Sequence, residues 1–309
     1  MAIQHELSWS ASRAGTFVSC PRKYYLDYYG SWLGWQQGGD PARRQAWLLK
    51  KMTRMPMLAG QIVHEAIEAW FITKREGGPQ PSRQEFIATA VGALREHYQV
   101  SKQGKWRRRP AKMCHLAEHH YQEERIDEAS GAAATYGTRY KERIIASLES
   151  FLDMPELAPV READPSTWLA CEDMTTFDFE GTKVFAVPDF AYRAEDGSVH
   201  IWDWKTGSPR KADEFQLQVY AGYARDKWGA DPDKVIGFDA YLPTREVVRV
   251  EPGAAGLDGA FERIAESLAE MKSLHFNADF EDGDPQAFPQ IEPGFECSSC
   301  NYRELCDRV

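Results

Sequence analysis

The sequence predicts a mixed α/β fold with a helical insertion, and three observations lead to this class. Helical periodicity marks the first 75 residues and most of the region from 83 to 153. Between residues 168 and 205 the pattern alternates between apolar and polar residues, as in strands. Helical patterns return at 212–226 and 256–275, with a strand between them at 234–242. Helices on both sides of a strand-rich centre indicate a central sheet flanked by helices.

The bulk composition fits a soluble globular protein. The 309 residues are 43% hydrophobic and 27% charged. No apolar run approaches the roughly 20 residues that span a bilayer, and the start lacks the apolar core of a secretory signal. We therefore expect a cytoplasmic protein without a membrane partner, in which the six cysteines are reduced and serve as metal or cluster ligands. The net charge of −10 argues weakly against nucleic acid, although acidic residues that hold a metal would give the same sum.

The N-terminal part contains two candidate ligands. Residues 7–30 have helical spacing, and Pro21 suits the first turn of a new helix, so Cys20 is expected at a helix junction. Residues 58–74 predict an amphipathic helix whose apolar face includes His64. A buried thiol and a satisfied core histidine are the ordinary interpretations of these two residues.

The region from 77 to about 160 predicts a helical insertion with helices at 83–100, 111–129 and 134–153. A basic stretch between the first two could grip a phosphate backbone and stack on a base; its members are Lys102, Lys105, Trp106, Arg107, Arg108 and Arg109. A solvated charged loop is an equally good interpretation. Cys114, His115, His119 and His120 invite a zinc site, but no second cysteine pair supports it, so we favour an exposed helix face.

The stretch VHIWDWKT at 199–206 predicts a buried strand around which the chemistry is arranged. Asp203 and Lys205 lie two residues apart and leave the same face, while Trp204 points to the other. Burying either charge is costly, so an ion pair or a metal site with a catalytic lysine is required.

The preceding segments 168–179 and 183–193 predict strands, and the loop at 195–197 ends in Gly197. A three-residue hairpin loop with a left-handed glycine would place Asp189 opposite Asp203, although Pro188 cannot donate to the ladder. Two carboxylates and an inward His64 form a ligand set for Mg²⁺ or Mn²⁺. Lys205 would then orient a water molecule or stabilise the transition state.

These motifs closely resemble those of the PD-(D/E)XK nuclease superfamily, and in particular its RecB-like group. The resemblance rests on GQIVH ending at His64, VPD ending at Asp189, DWK at 203–205 and QLQVY with Gln216 and Tyr220. It implies a restriction-endonuclease-like mixed central sheet flanked by helices. It also implies metal ligation by His64, Asp189, Asp203 and the Trp204 carbonyl, catalysis by Lys205, and positioning of DNA or Lys205 by Gln216 and Tyr220.

The terminal cysteines extend the resemblance. Cys297, Cys300 and Cys306 follow a C-x2-C-x5-C spacing, and Cys20 stands alone near the N-terminus. This arrangement is similar to that of the iron–sulfur members of the group, such as the AddB nuclease domain, the CRISPR-adaptation nucleases and exonuclease V. It implies a [4Fe–4S] cluster that joins the N- and C-terminal segments, with a structural zinc ion as the alternative.

The sequence therefore predicts four segments: an N-terminal helical part (1–76), a helical insertion (77–165), a catalytic core (166–250) and a C-terminal helix with the cluster segment (251–309). The function that the resemblance implies is a metal-dependent deoxyribonuclease. We expect a single-stranded DNA exonuclease in repair, recombination or CRISPR spacer processing, with a helicase, recombination or CRISPR-adaptation partner. The alternatives are an iron–sulfur DNA-binding or assembly module with little cleavage, and a redox-responsive protein whose cluster gates DNA affinity.

Overall fold

A computed structural model describes residues 5–171, 175–274 and 285–306 of the chain. The α-helices are α1 (Ala11–Ser19), α2 (Pro21–Tyr25), α3 (Pro41–Lys50), α4 (Met55–Arg75), α5 (Arg83–Lys102), α6 (Ala117–His120), α7 (Ala132–Asp153), α8 (Ala158–Glu162), α9 (Lys211–Trp228), α10 (Gly253–Ser273) and α11 (Phe295–Ser298). The strands are β1 (Ser8–Trp9), β2 (Trp168–Cys171), β3 (Thr175–Phe179), β4 (Thr182–Ala186), β5 (Phe190–Arg193), β6 (Val199–Lys205), β7 (Val235–Tyr241) and β8 (Glu246–Val250). A π-helical turn follows α2 at Leu26–Gly30.

The central sheet has five strands in the order β2-β5-β6-β7-β8. Strands β6 and β7 are parallel and the other neighbours are antiparallel. Parallel neighbours need a crossover connection, which α9 provides. The predicted strands at 199–205 and 234–242 and the helices at 212–226 and 256–275 are confirmed. The mixed α/β class is therefore confirmed as well.

The two strand predictions before the hairpin are wrong, because each long segment divides between two sheets. Strands β3 and β4 belong to a second sheet, in the order β1-β4-β3, whereas β2 and β5 belong to the central one. The break between β4 and β5 falls at 187–189, where Pro188 lacks the N–H that a continuous ladder needs. Residues 172–174, between β2 and β3, lie outside the described ranges.

Helices cover both faces of the central sheet. On one face α4, α5 and α7 share a core with side chains of β5 and β6, and Phe71 stacks on Phe190 with ring centroids 4.2 Å apart. On the other face α9 and α10 pack on Val199 and Ile201. The helices predicted at 83–100 and 134–153 are confirmed. They belong to the same core as strands β5 and β6.

The prediction of a helix at 111–129 is wrong, because that segment forms turns and the four-residue α6. Its backbone pairs with another element instead of with itself: Thr53 N donates to His115 O at 2.9 Å, and Ala117 N donates to Thr53 O at 2.8 Å. His115 is buried and stacks on Trp106 with ring centroids 3.5 Å apart. The expected exposed helix face of cysteine and histidines is therefore wrong too.

The C-terminal residues return to the first helices. Tyr302 is buried and donates its hydroxyl to Asp27 Oδ1 at 2.6 Å. Arg54 Nε donates to Ser299 O at 2.8 Å. These contacts bring together residues 275 and 245 positions apart in the sequence. Among the described residues, no helix has the length and apolar content needed to cross a bilayer.

Candidate active site

Strand β6 presents its two charged residues to one side, as predicted. Lys205 Nζ lies 2.6 Å from Asp203 Oδ2. Trp204 points to the opposite face, where it packs in the core beside Phe151. Asp203 is 5% exposed, so this ion pair is almost withdrawn from solvent. A buried pair of this kind is costly unless further groups hydrogen-bond to it, and such groups surround it.

The hairpin between β5 and β6 has the predicted register. Arg193 pairs with Val199, Gly197 has a φ of +83°, and Ala194 N donates to Ser198 O at 2.9 Å. Asp189 lies one residue before β5 and therefore just outside the ladder. Its carboxylate still reaches β6, because Oδ2 accepts a 2.5 Å hydrogen bond from the backbone N–H of Trp204.

Helix α4 brings the candidate imidazole to the same place. His64 Nδ1 lies 3.1 Å from Asp189 Oδ1, and the His64 side chain is half-buried. Gly60, one turn earlier, lets α4 approach the end of β6: a Cβ there would lie 3.0 Å from Thr206 Oγ1. The sequence predicts an inward histidine, and the structure places it against Asp189.

Helix α9 holds the lysine from a third direction. Lys205 Nζ donates to Gln216 Oε1 at 2.8 Å, and Gln216 Nε2 donates to the Tyr220 hydroxyl at 2.6 Å. That hydroxyl also lies 3.1 Å from Asp203 Oδ1. Burial raises the pKa of Tyr220 well above its usual range, so the hydroxyl keeps its proton. The predicted orientation of Gln216 and Tyr220 towards the strands is confirmed.

Two carboxylates that the sequence did not single out complete the surroundings of Lys205. Asp239 on β7 pairs in register with Asp203, and its Oδ1 lies 3.5 Å from Lys205 Nζ; Asp213 Oδ1 lies 3.9 Å away. Burial alone would lower the pKa of Lys205, but the attraction of Asp203, helped by the other two, raises it. Burial raises the pKa of Asp239 to about 7. The signal in the sequence was a lone aspartate within the apolar strand pattern at 234–242.

The side chains that the sequence singled out line one cavity of about 800 Å³. They are His64, Asp189, Asp203, Lys205, Gln216 and Tyr220. Within the described ranges, no group of three or more His, Cys, Asp and Glu side chains is already arranged around a single metal position. The donor set nevertheless fits a hard divalent cation, because two carboxylates and an imidazole open into the same space.

The four predicted cluster cysteines line another cavity, of about 470 Å³. As predicted, Cys20 lies at the junction of α1 and α2. Three of the sulfurs accept hydrogen bonds: Cys20 Sγ from Lys23 N at 3.4 Å, Cys300 Sγ from Tyr302 N at 3.3 Å and Cys306 Sγ from Gln290 Nε2 at 3.1 Å. Cys297 lines the same cavity, but in the part of the chain that the structure describes the four sulfurs do not form a cluster geometry.

The residues predicted to bind DNA lie at the end of α5 and in the turn that follows it, and none of them lines the candidate active-site cavity. Trp106 is buried between the His115 ring and the Arg107 guanidinium, which lies 4.7 Å from the Trp106 ring centroid. Lys102 pairs with Glu128 at 2.5 Å. A base could stack on Trp106 only if the ring left these partners. Arg108 and Arg109 are exposed, and their role stays a prediction together with that of Lys105.

Comparison with known proteins gives one match across nearly the whole chain. The sequence model of the PD-(D/E)XK nuclease superfamily matches residues 8–307. No curated protein matches the chain. Among solved structures, the crystal structure of SSO0001 is similar at 17% identity and a TM-score of 0.30, over 57% of this chain and 81% of that one.

Proposed function

The chain belongs to the PD-(D/E)XK nuclease superfamily, a family of metal-dependent nucleases, and from this premise we propose that it is an exonuclease that degrades single-stranded DNA. The observation that supports cleavage is the convergence of His64, Asp189, Asp203 and Lys205 on one cavity. A purely structural ion pair between Asp203 and Lys205 would need neither the imidazole nor the second carboxylate.

His64, Asp189 and Asp203 would hold the metal, with the Trp204 carbonyl as a further ligand. A Mg²⁺ or Mn²⁺ ion bound there supplies positive charge beside the scissile phosphate and makes water more acidic. Lys205 orients the attacking water or stabilises the charge that develops on the phosphate. Its ammonium is held by Gln216 Oε1 at 2.8 Å and by the carboxylates around it, so its position is fixed before substrate arrives.

Tyr220 links the lysine to the metal site. Its hydroxyl lies within 3.1 Å of both Gln216 Nε2 and Asp203 Oδ1, so one side chain orients a neighbour of the lysine and a proposed ligand. Because the hydroxyl also reaches Val187 O at 2.8 Å, it is tied to the backbone two residues before Asp189. These contacts support a positioning role for Gln216 and Tyr220.

We further propose that Cys20, Cys297, Cys300 and Cys306 hold a [4Fe–4S] cluster. Two observations support this: the four thiols share one cavity although up to 286 positions separate them, and N–H groups donate to three of the sulfurs. Such donors are typical of iron–sulfur sites, where they tune the potential. A zinc ion in the same pocket is the competing occupant.

The proposed preference for single-stranded DNA ends and the proposed pathway rest on the motif resemblance to iron–sulfur RecB-like nucleases. By that analogy the enzyme acts on single-stranded ends in repair, recombination or CRISPR spacer processing, in concert with a helicase or another assembly partner. Linear and circular single-stranded DNA distinguish exonuclease from endonuclease cleavage, because an exonuclease needs an end.

The test compares wild type with Lys205→Ala on end-labelled single-stranded DNA, with Mn²⁺, Mg²⁺ or EDTA. We expect metal-dependent cleavage of linear but not circular DNA, and a loss of at least about 10²-fold in Lys205→Ala with DNA binding retained. Lys272→Ala, an exposed charge on α10, is the matched control. Equal cleavage by Lys205→Ala would contradict the catalytic assignment, and a wild type that binds but never cuts would favour the binding-module alternative.

The cluster is tested separately by anaerobic purification with iron, sulfide and zinc analysis. Wild type should be brown, with about four irons per chain. Cys20→Ser should lose the iron, whereas Cys114→Ser, a thiol outside the pocket, should retain it. Colourless protein with stoichiometric zinc would replace the cluster with a structural zinc site.

A further inference from the structure

A second cavity of about 410 Å³ lies next to the active site, and Phe185 lines both. Its other lining residues are mainly aromatic or cationic, among them Arg13, Tyr28, Trp32, Trp35, Lys51 and Lys183. This composition differs from that of the active-site cavity, which is rich in carboxylates. The motifs that identify the nuclease do not include these tryptophans or lysines.

The two tryptophans stand on a turn that is fixed to α3. Arg43 Nη1 donates to Trp32 O at 3.0 Å, and Arg44 Nη1 donates to Gly34 O at 3.3 Å. A Cβ at Gly34 would lie 2.3 Å from Arg43 O, so only glycine allows this approach. The rings of Trp32 and Trp35 meet edge to face at 5.1 Å. The aromatic surface is therefore preorganised rather than formed on binding.

Part of this aromatic surface is open to solvent and to a ligand. Trp35 is 38% exposed, which is unusual for so large an apolar side chain. Trp32 Nε1 is buried and has no hydrogen-bond partner within the described residues.

The charges of the cavity favour an anion. The Arg13 guanidinium is buried and lies 3.9 Å from the centroid of the Tyr28 ring, and the exposed Lys51 and Lys183 lie at the rim. Four cationic side chains line the cavity against two acids, Asp27 and Glu6, and Glu6 pairs with Lys183 at 2.6 Å; the cations are Arg13, Lys50, Lys51 and Lys183. Positive charge thus collects here on a chain whose net charge is −10.

We propose that this cavity binds one unpaired nucleotide of the DNA strand that is cut in the neighbouring site, with its base against Trp35 and its phosphate beside Lys51. The inference rests on the proposed nuclease function and adds the reason for a single-stranded substrate. A base within a duplex is stacked and paired and cannot enter, whereas an unpaired base presents its face to an aromatic ring. The cavity size lies within the range of small-ligand sites, about 300–1,000 Å³.

The experiment measures binding of a fluorescent single-stranded oligonucleotide in EDTA, where no cleavage occurs. We expect Trp35→Ala to weaken binding about tenfold, since stacking one base is worth roughly 1–3 kcal/mol. Lys51→Gln should lower the slope of log Kd against log salt by about 0.7, the value for one phosphate contact on a single strand. Lys272→Gln is the matched control and should behave as wild type.

A double-mutant cycle that combines Trp35→Ala with the loss of one base from the DNA isolates the stacking contact. A single abasic position, scanned along the oligonucleotide, should weaken wild-type binding about tenfold at one place and should not weaken Trp35→Ala further. Trp35 and Lys51 are both at the surface, so these changes should leave the fold intact, which circular dichroism checks.

The outcomes separate this proposal from the nuclease assignment. If the variants bind as wild type does while cleavage is intact, the cavity proposal is wrong and the nuclease stands. If the variants weaken binding but wild type never cleaves, the cavity binds an unpaired nucleotide and the cleavage assignment is wrong. If wild type binds no single-stranded DNA, the cavity proposal and the single-stranded substrate are both wrong, whereas cleavage of another DNA substrate would keep the nuclease assignment.

Discussion

Replacing Asp239 by asparagine should remove a specific pH dependence from the stability of the protein. Asp239 is 1% exposed, lies opposite Asp203 in the parallel register and is 3.5 Å from Lys205 Nζ. Burial raises the pKa of its carboxyl from 3.8 to about 7. Asparagine has nearly the same shape but does not titrate.

The direction of the pH dependence follows from which state, folded or unfolded, binds the proton more tightly. Because the pKa of Asp239 is higher in the folded state, folding takes up a proton between about pH 4 and pH 7. The contribution of this proton to the free energy of unfolding is complete below about pH 3.8 and is lost as the pH rises through about 7. Each pH unit in this window changes the free energy of unfolding by about 1.4 kcal/mol, so raising the pH from 5 to 8 should cost about 2.5 kcal/mol.

The assay is reversible urea unfolding of wild type and Asp239→Asn at pH 5, 6, 7 and 8, in EDTA so that added metal does not contribute. The free energy of unfolding of wild type minus that of the variant should fall by about 2.5 kcal/mol across this series. Asp258→Asn, the same change at an exposed position of α10, should give a constant difference. A constant difference for Asp239→Asn, or one that rises with pH, would refute the reasoning.

Three further substitutions test other parts of the fold. Phe71→Ala should lower the free energy of unfolding by about 3–5 kcal/mol, because the ring is buried and stacked on its neighbour; unfolding in urea measures this, and a loss below 1 kcal/mol would contradict it. Gly60→Ala should lower the cleavage rate, because the added methyl group would move α4 away from Thr206. Gly92→Ala is the control, because this glycine faces open space on α5. It should leave cleavage unchanged and raise the free energy of unfolding by about 0.5–1 kcal/mol. Gly197→Ala should cost about 1–2 kcal/mol because its φ is +83°, and an unchanged melting temperature would argue against this turn.

The positions of the candidate active-site residues could be predicted because each follows a local rule. The alternation of β6 places Asp203 and Lys205 on one face, and the glycine of the 195–197 loop sets the hairpin register. The turn spacing of α9 directs Gln216 and Tyr220 to the same side. None of these inferences needs to know how distant parts of the chain pack.

The errors arise where distant packing decides. Asp239 approaches Lys205 through a parallel register that only the assembled sheet defines. Trp106 sits among basic residues that indicate a solvent-facing loop, yet its ring is buried against His115. Periodicity also runs through residues 183–193, although Pro188 separates two sheets there. In each case a tertiary contact overrides the local pattern.

The return of the C-terminal segment to the first helices means that the cysteine pocket exists only when the two ends of the chain lie together. Asp27 and Tyr302, which line it together, are 275 positions apart, so the chain must close a very long loop before the pocket exists. Any occupant of the pocket binds only the closed chain. By mass action, an occupant at 100 times its Kd would stabilise this closed arrangement by about 2.7 kcal/mol.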